Sequence, residues 1–88
     1  MSCRMCYVSG RVQGVFYRET TRNKAQSLDI TGHAMNLTDG RVEVLMCGSS
    51  QQLELFETWL WEGSTWSSVS DVQCHSINSA QPEYFTTG

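Results

Sequence analysis

Alternating apolar and polar positions predict four strands, each with one face buried in a core. Over residues 3–9 the alternation places Cys6 and Val8 on one face, and on the other Cys3, Met5 and Tyr7. The remaining strands are predicted over residues 31–37, 41–47 and 69–77. Asp39-Gly40 separates the second strand from the third and is a strong hairpin signal.

Two intervening segments have helical spacing instead. The first predicted helix covers residues 16–28, and its apolar face consists of Tyr17, Thr21, Ala25 and Leu28. The second begins after Ser49, which with Gln52 forms the sequence pattern of a capping box, and runs to about residue 62. Its apolar stripe consists of Leu53, Phe56 and Leu60. Gly63 suits the position just beyond its end.

The predicted order is strand, helix, strand, strand, helix, strand, with a short extended tail at Tyr84 and Phe85. The simplest packing is an antiparallel sheet with both helices on one face. Right-handed crossovers then favour an α+β, ferredoxin-like split β-α-β sandwich. In that topology the first two strands run in the same direction, with the third between them. The end of the second strand, at Asn36, therefore lies at the same sheet edge as the segment that follows the first strand.

Size and charge narrow the function classes. Eighty-eight residues form one domain, residues 1–88. No apolar run approaches the roughly 20 residues that span a bilayer, and the N-terminal region lacks the apolar core of an export signal. The net charge of −3 disfavours a general nucleic-acid binder. An acidic protein that binds an anion must do so locally, with oriented amides and one or two arginines.

The cysteines and histidines do not predict a metal site. Neither the four cysteines nor His33 and His75 have the spacing of a complete zinc site. Cys3 begins the first strand and Cys47 ends its predicted antiparallel neighbour, so the two should lie close together on the face away from the helices. A disulfide requires Cα atoms within about 7 Å, whereas a reducing cytosol favours free thiols. The sequence leaves both states open.

Residues Gly10 to Arg18 read Gly-Arg-Val-Gln-Gly-Val-Phe-Tyr-Arg and join the first strand to the first helix. Two glycines four residues apart allow a tight turn that brings backbone N–H groups close to a guest. The helix start adds unpaired N–H donors, and the planar guanidinium of Arg18 suits a phosphate. The segment therefore predicts a cradle for a small phosphoryl group.

Asn36 is the second candidate site residue. Asparagine is depleted in strands, and its amide can both donate and accept hydrogen bonds. Two strand spacings, roughly 10 Å, separate it from the first strand, so it is placed to hold a water or a substrate lying between. A loop that fixes phosphate and an amide that fixes water suit in-line hydrolysis at phosphorus.

This combination resembles the acylphosphatase family. The resemblance is carried by Gly10 to Arg18, Thr20-Thr21, Ala25, Leu28, Gly32, Asn36 and Asp39-Gly40-Arg41-Val42-Glu43-Val44, and it continues weakly to Phe85. It implies a ferredoxin-like fold and hydrolysis of the carboxyl-phosphate bond of acyl phosphates to carboxylate and inorganic phosphate. It also implies a small cytoplasmic enzyme that needs no metal or other cofactor. The expected partner is the small-molecule substrate, with no nucleic acid, no membrane and a monomeric state.

Matched to the family, Arg18 is the arginine that binds phosphate and Asn36 the asparagine that orients the attacking water. The loop amides that surround the phosphate are those of Gln13, Gly14, Val15, Phe16 and Tyr17. The chain departs from the family at Asp29, where glycine is common at the helix end, and at Ser64, where proline is common. No residue of the motif is an obvious general base.

Two other classes remain open. A non-enzymatic anion- or phosphoprotein-binding module can share the fold, since fold does not determine function, although the joint presence of Arg18 and Asn36 favours the enzyme. An RNA-recognition module shares the β-α-β plan but needs stacking aromatics on a basic sheet. Tyr7 alone is poor support for that alternative, and the net charge is wrong.

Overall fold

All the predicted helices and strands are present in the computed structural model, which describes residues 1–88. In chain order they are β1 (Ser2–Arg11), α1 (Tyr17–Ser27), β2 (Thr31–Asn36), β3 (Val42–Gly48), α2 (Ser50–Leu60), β4 (Ser68–Ile77) and β5 (Phe85–Thr87). Neither helix has the length and apolar composition needed to cross a membrane.

The strands form one sheet in the order β4-β1-β3-β2-β5. The pairs β1–β3, β1–β4 and β2–β3 are antiparallel, as predicted. The tail, however, forms a fifth strand that runs parallel to β2, with Phe85 opposite Gly32, so the sheet is mixed rather than wholly antiparallel. Phe85 explains this addition, because its buried ring packs edge-on against Phe56 of α2. The α+β ferredoxin-like class is confirmed.

The core lies between the sheet and the two helices. Cys6 and Val8 of β1 face it, as the alternation predicted, and the predicted helix stripes meet them there. The fully buried helix residues are Tyr17, Thr21 and Ala25 of α1, and Leu53, Phe56 and Leu60 of α2. A smaller cluster on the opposite face contains Cys3, Leu45 and Cys47.

The two helices begin differently. At α2 the capping box is complete: the Gln52 N–H donates to the Ser49 hydroxyl at 3.3 Å, and the Gln52 side chain accepts from the Ser49 N–H. At α1 the preceding residue is Phe16, whose backbone is left-handed (φ 63°) and whose side chain provides no cap. Helix α1 thus starts without the side-chain acceptor that α2 has.

A left-handed residue, Asp29 (φ 55°), follows the C-cap residue Leu28 of α1. The Ile30 N–H donates to the Ala25 carbonyl at 2.9 Å, and the Asp29 N–H donates to the Gln26 carbonyl at 3.3 Å. These two bonds define a Schellman motif, in which glycine is the usual left-handed residue. The aspartate predicted as a departure at the helix end therefore does occupy the strained position.

Two disulfides join β1 to its two neighbours. Cys3 is bonded to Cys47 of β3, with Cα atoms 4.1 Å apart, so the state that the sequence left open is the bonded one. Cys6 is bonded to Cys74 of β4, with Cα atoms 4.0 Å apart. Sequence reasoning missed this second bond. Both pairs lie directly opposite in the strand register, so aligning β4 against β1 would have found it.

Candidate active site

The loop between β1 and α1 exposes its backbone donors. Gly14 (φ 73°) and Phe16 (φ 63°) are left-handed and flank Val15, which is not. Alternation of this kind turns successive N–H groups toward one concave side and creates an anion-binding nest. The N–H groups of Gly14, Val15 and Phe16 have no hydrogen-bond acceptor within the chain. The first N–H groups of α1 are also unpaired, because a helix start has no intrahelical acceptors for them.

The space in front of these donors is open. A Cβ built on Gly14 would meet no atom within 4 Å, so the backbone conformation alone requires glycine there. A cleft of about 380 Å³ begins at this point and extends along the first turns of α1 to β5. Its lining residues are Val12, Gly14, Phe16, Tyr17, Arg18, Glu19, Arg22 and Thr87.

Two guanidinium groups in this cleft have no acidic partner. The carboxylates that contact basic side chains are Glu57 beside Arg4, Glu43 beside His33 and Asp39 beside Arg41, and none of them contacts Arg18 or Arg22. The two arginines are four residues apart on α1 and so lie on the same helix face. The lining contains one carboxylate, Glu19, against these two arginines. With the free N–H groups added, this end of an otherwise acidic protein is locally positive.

The loop is anchored on one side by the side chain of Gln13. Its Nε2 donates to the Leu37 carbonyl at 2.8 Å and to the Arg41 carbonyl at 2.9 Å. These two residues close the β2–β3 hairpin, where the Leu37 N–H donates to the Arg41 carbonyl at 2.8 Å. Gln13 therefore connects the loop directly to the hairpin.

The loop is anchored on the other side by Ser64. The buried Ser64 hydroxyl donates to the Val15 carbonyl at 2.7 Å. A proline at this position could not make that bond, because it has no side-chain donor. The departure noted in the sequence thus contributes a contact of its own, and it engages a carbonyl of the loop while the amides stay unpaired.

The side chain of Tyr17 fixes the start of α1 to α2. Its hydroxyl donates to the Leu60 carbonyl of α2 at 2.7 Å. Burial raises the pKa of Tyr17 well above its ordinary value, only partly opposed by the hydrogen bond with Thr21. The phenol therefore stays neutral and acts as a hydrogen-bond donor to structure, so its side chain is not a candidate acid or base.

Asn36 lies at the end of β2, separated by β3 from the strand that leads into the loop. It is the last residue of β2 and pairs with Val42, which on its other side pairs with Val8 of β1. The Asn36 side chain is exposed and makes no hydrogen bond within the chain. It shares the parity of buried Ala34, so it lies on the helix side of the sheet.

The predicted site residues divide into three groups. Gly14, Phe16, Tyr17 and Arg18 line the cleft, whereas Asn36 lies outside its lining. Gln13 and Val15 belong to the loop, but their anchoring bonds point away from the cleft. Sequence reasoning missed Arg22, Thr87 and Ser64. Only Arg22 had a readable signal, its helical spacing from Arg18; the other two depend on tertiary packing.

One further group of potential metal ligands lies between α2 and the sheet. The Sγ atoms of Cys6 and Cys74 and a carboxylate oxygen of Glu57 are all within 4.8 Å of one another. The two sulfurs are joined in a disulfide, and Glu57 is paired with Arg4 at 3.2 Å. In this state the group offers no thiolate, which is the form that binds metals.

Comparisons with known proteins agree with this geometry. The acylphosphatase family model matches residues 4–87. The acylphosphatase of Chromohalobacter salexigens is 44% identical over 86 residues, covering 98% of this chain and 96% of the relative.

Solved structures of acylphosphatases have the same fold as this chain. An acylphosphatase from Coxiella burnetii superposes with a TM-score of 0.95 at 39% identity, covering 99% of this chain and 92% of that one. One from Bacillus subtilis gives 0.95 at 31% identity, covering 100% and 99%. With the loop, the cleft and these likenesses taken together, the chain belongs to the acylphosphatase family.

Proposed function

We propose that the cleft is the active site for the acylphosphatase reaction and that Arg18 and the loop amides bind the phosphoryl group. The observation that carries this assignment is the unpaired state of the donors. The N–H groups of residues 14–16 and the Arg18 guanidinium have no partner in the chain, and Gly14, Phe16 and Arg18 border one open cleft. Oriented amides and a planar guanidinium are the groups that bind phosphate oxygens best.

Asn36 is the proposed residue that orients the attacking water. Its amide is exposed and unpaired. Through their shared register partner Val42, Asn36 is aligned with Val8 of β1, the strand that leads into the loop. Because the amide both donates and accepts, it can hold a water in one orientation facing the bound phosphoryl group. Asn36 is therefore expected to affect turnover more than substrate binding.

The reaction needs little acid–base chemistry from the protein. The water oxygen bonds to phosphorus, the bond from phosphorus to the acyl oxygen breaks, and the acyl group leaves as a carboxylate. Both water hydrogens leave with the phosphate product, which then equilibrates with solvent. Since carboxylate is a good leaving group, positioning and stabilisation of the transferring charge supply most of the rate.

The rival function is a binding module for anions or phosphoproteins on the same fold. Hydrolysis of benzoyl phosphate by the wild type, Arg18→Ala and Asn36→Ala separates the two. We expect an active wild type, a large loss of kcat/KM in Arg18→Ala and a loss mainly of kcat in Asn36→Ala. A wild type that binds phosphate but does not hydrolyse benzoyl phosphate would establish the rival, and unchanged activity in both variants would refute the assigned site.

We also propose that the enzyme is monomeric, needs no metal ion and binds no nucleic acid. The positive charge that a metal ion would provide is available from Arg18, Arg22 and the loop amides. Activity in EDTA should therefore equal that in buffer, and loss of activity with the chelator would reject this part of the proposal. Sedimentation should give the 9.9 kDa of one chain.

The proposed location is the cytoplasm, as the family resemblance implies. The two disulfides argue against this location, because cytosolic proteins rarely keep such bonds, so the distribution of the chain among cell fractions is the informative measurement. We expect the chain in the cytoplasmic fraction. Its presence only in an oxidising compartment would overturn the proposal.

A further inference from the structure

Gln13 has an unusual position for a residue of a phosphate-binding loop, because its side chain faces away from the cleft. Both hydrogens of its amide are used: one bond goes to the Leu37 carbonyl at 2.8 Å and the other to the Arg41 carbonyl at 2.9 Å. An amide with two donors matches two carbonyls, and neither a carboxylate nor an apolar side chain can replace it. The hydrogen-bonding pattern of a glutamine side chain therefore suits this contact.

The two carbonyls belong to the residues next to Asn36 and its partner. Asn36 precedes Leu37 in the chain, and its register partner Val42 follows Arg41. Within the sheet, the loop and Asn36 are separated by β3, which lies between β1 and β2. No other side-chain hydrogen bond joins residues 10–16 to the hairpin; the second anchor of the loop, Ser64, comes from the segment between α2 and β4.

We infer that Gln13 is a positioning residue that sets the distance between the bound phosphoryl group and the water held by Asn36. The inference rests on the proposed roles of the loop and of Asn36. The phosphoryl group is held by the loop, and the water is held by the end of β2. Gln13 directly couples these two bodies, so its loss lets them move relative to each other without removing any group that touches substrate.

The kinetic consequence is specific. Displacement of a nucleophile by about 1 Å can cost up to about 100-fold in rate. Gln13→Leu keeps a side chain of similar size but has no donor, so we expect kcat to fall about 10- to 100-fold. KM and competitive inhibition by inorganic phosphate should change less than about threefold, because loop amides and Arg18 remain. A purely structural role would weaken phosphate binding together with turnover.

A double-mutant cycle with Asn36→Ala provides the decisive test. If Gln13 acts by placing the asparagine, its replacement in the Asn36→Ala background should lower kcat less than about twofold, because the coupled group is gone. Multiplicative losses would overturn the inference while leaving the roles of Arg18 and Asn36 intact. Full activity in Asn36→Ala alone would instead show that the proposed water-orienting role is wrong.

Two controls keep the result interpretable. Gln26→Leu is the same exchange at an exposed position near the far end of α1, and it should leave kcat unchanged. Gln13→Glu should lose at least as much kcat as Gln13→Leu, because an ionised carboxylate only accepts hydrogen bonds and would face two carbonyl oxygens. Normal kcat in folded Gln13→Glu would overturn the inference. If Gln13→Leu does not fold, as thermal unfolding would show, the Gln13→Glu variant takes its place in the cycle.

Discussion

The starts of the two helices show how one fold separates stability from function. Each helix has eleven residues. At α2, Ser49 and Gln52 satisfy each other and close the helix start on itself. At α1, the start is open: Phe16 offers no cap, and the donors face the cleft. The N–H groups of a helix start can therefore remain available to a ligand when neighbouring elements hold the start in place. Here Gln13 and Ser64 hold it, and no side-chain cap is needed.

The largest expected effect comes from removing the charge at the open start. Arg18→Ala should lower kcat/KM for benzoyl phosphate by about 10²- to 10³-fold, equivalent to about 3–4 kcal/mol of activation free energy, because an oriented donor to the transferring phosphoryl group is lost. Lys24→Ala is the matched control, since it removes the same charge further along the same helix, outside the cleft lining. A comparable loss in Lys24→Ala would mean that general charge, not the cleft arginine, is responsible.

Phosphate should stabilise the protein through the open start alone. At a phosphate concentration of 100 times its Kd, the free energy of unfolding should rise by about 2.7 kcal/mol. Thermal unfolding with and without phosphate measures this difference. Arg18→Ala should lose most of it and Ser49→Ala none. Equal protection of wild type and Arg18→Ala would place the anion elsewhere on the protein.

The capped start of α2 should affect stability but not activity. Ser49→Ala should lower the free energy of unfolding by about 1 kcal/mol, the usual value of an N-cap, and leave kcat unchanged. Ser50→Ala is the control, because the neighbouring serine is exposed and its hydroxyl makes no hydrogen bond in the chain. Reduced activity in Ser49→Ala would show that the two helix starts are not independent.

The smallest effect concerns the other end of α1. Asp29→Gly should raise the free energy of unfolding by about 0.5 kcal/mol, because relief of the left-handed conformation slightly exceeds the added chain entropy of glycine. Urea unfolding resolves a change of this size when both variants are measured together. A destabilised variant would indicate that Asp29 makes a favourable contribution which outweighs its backbone strain.

Local patterns were sufficient for much of this molecule. Alternation in β1 and helical spacing in α1 and α2 depend only on which face is buried, so the predicted core residues were confirmed. The Ser49 capping box was readable for the same reason, because both of its partners lie within one turn. The placement of Gly14 and Arg18 in one cleft was also local information, since glycines, helix start and arginine are adjacent in the chain.

The rest depends on contacts between distant segments. Ser64 contacts Val15, which is 49 positions away in the chain. The hydrogen-bond partners of the Gln13 amide could not be predicted without the position of the hairpin. The tail has only one buried side chain, Phe85. One position shows no alternation, so the sequence does not predict a parallel strand there. The pairing of Cys74 with Cys6 depends on the alignment of β4 on β1, which periodicity within either strand does not determine.

Strand β1 is covalently bonded to the strand on each side of it, through Cys47 of β3 and Cys74 of β4. When the oxidised protein unfolds, these three segments stay tied near the N-terminus. The denatured chain is then more compact and gains less solvent-accessible surface. Because the denaturant m-value scales with that surface, guanidinium unfolding should have a shallower slope before reduction than after it, even where the native folds are identical.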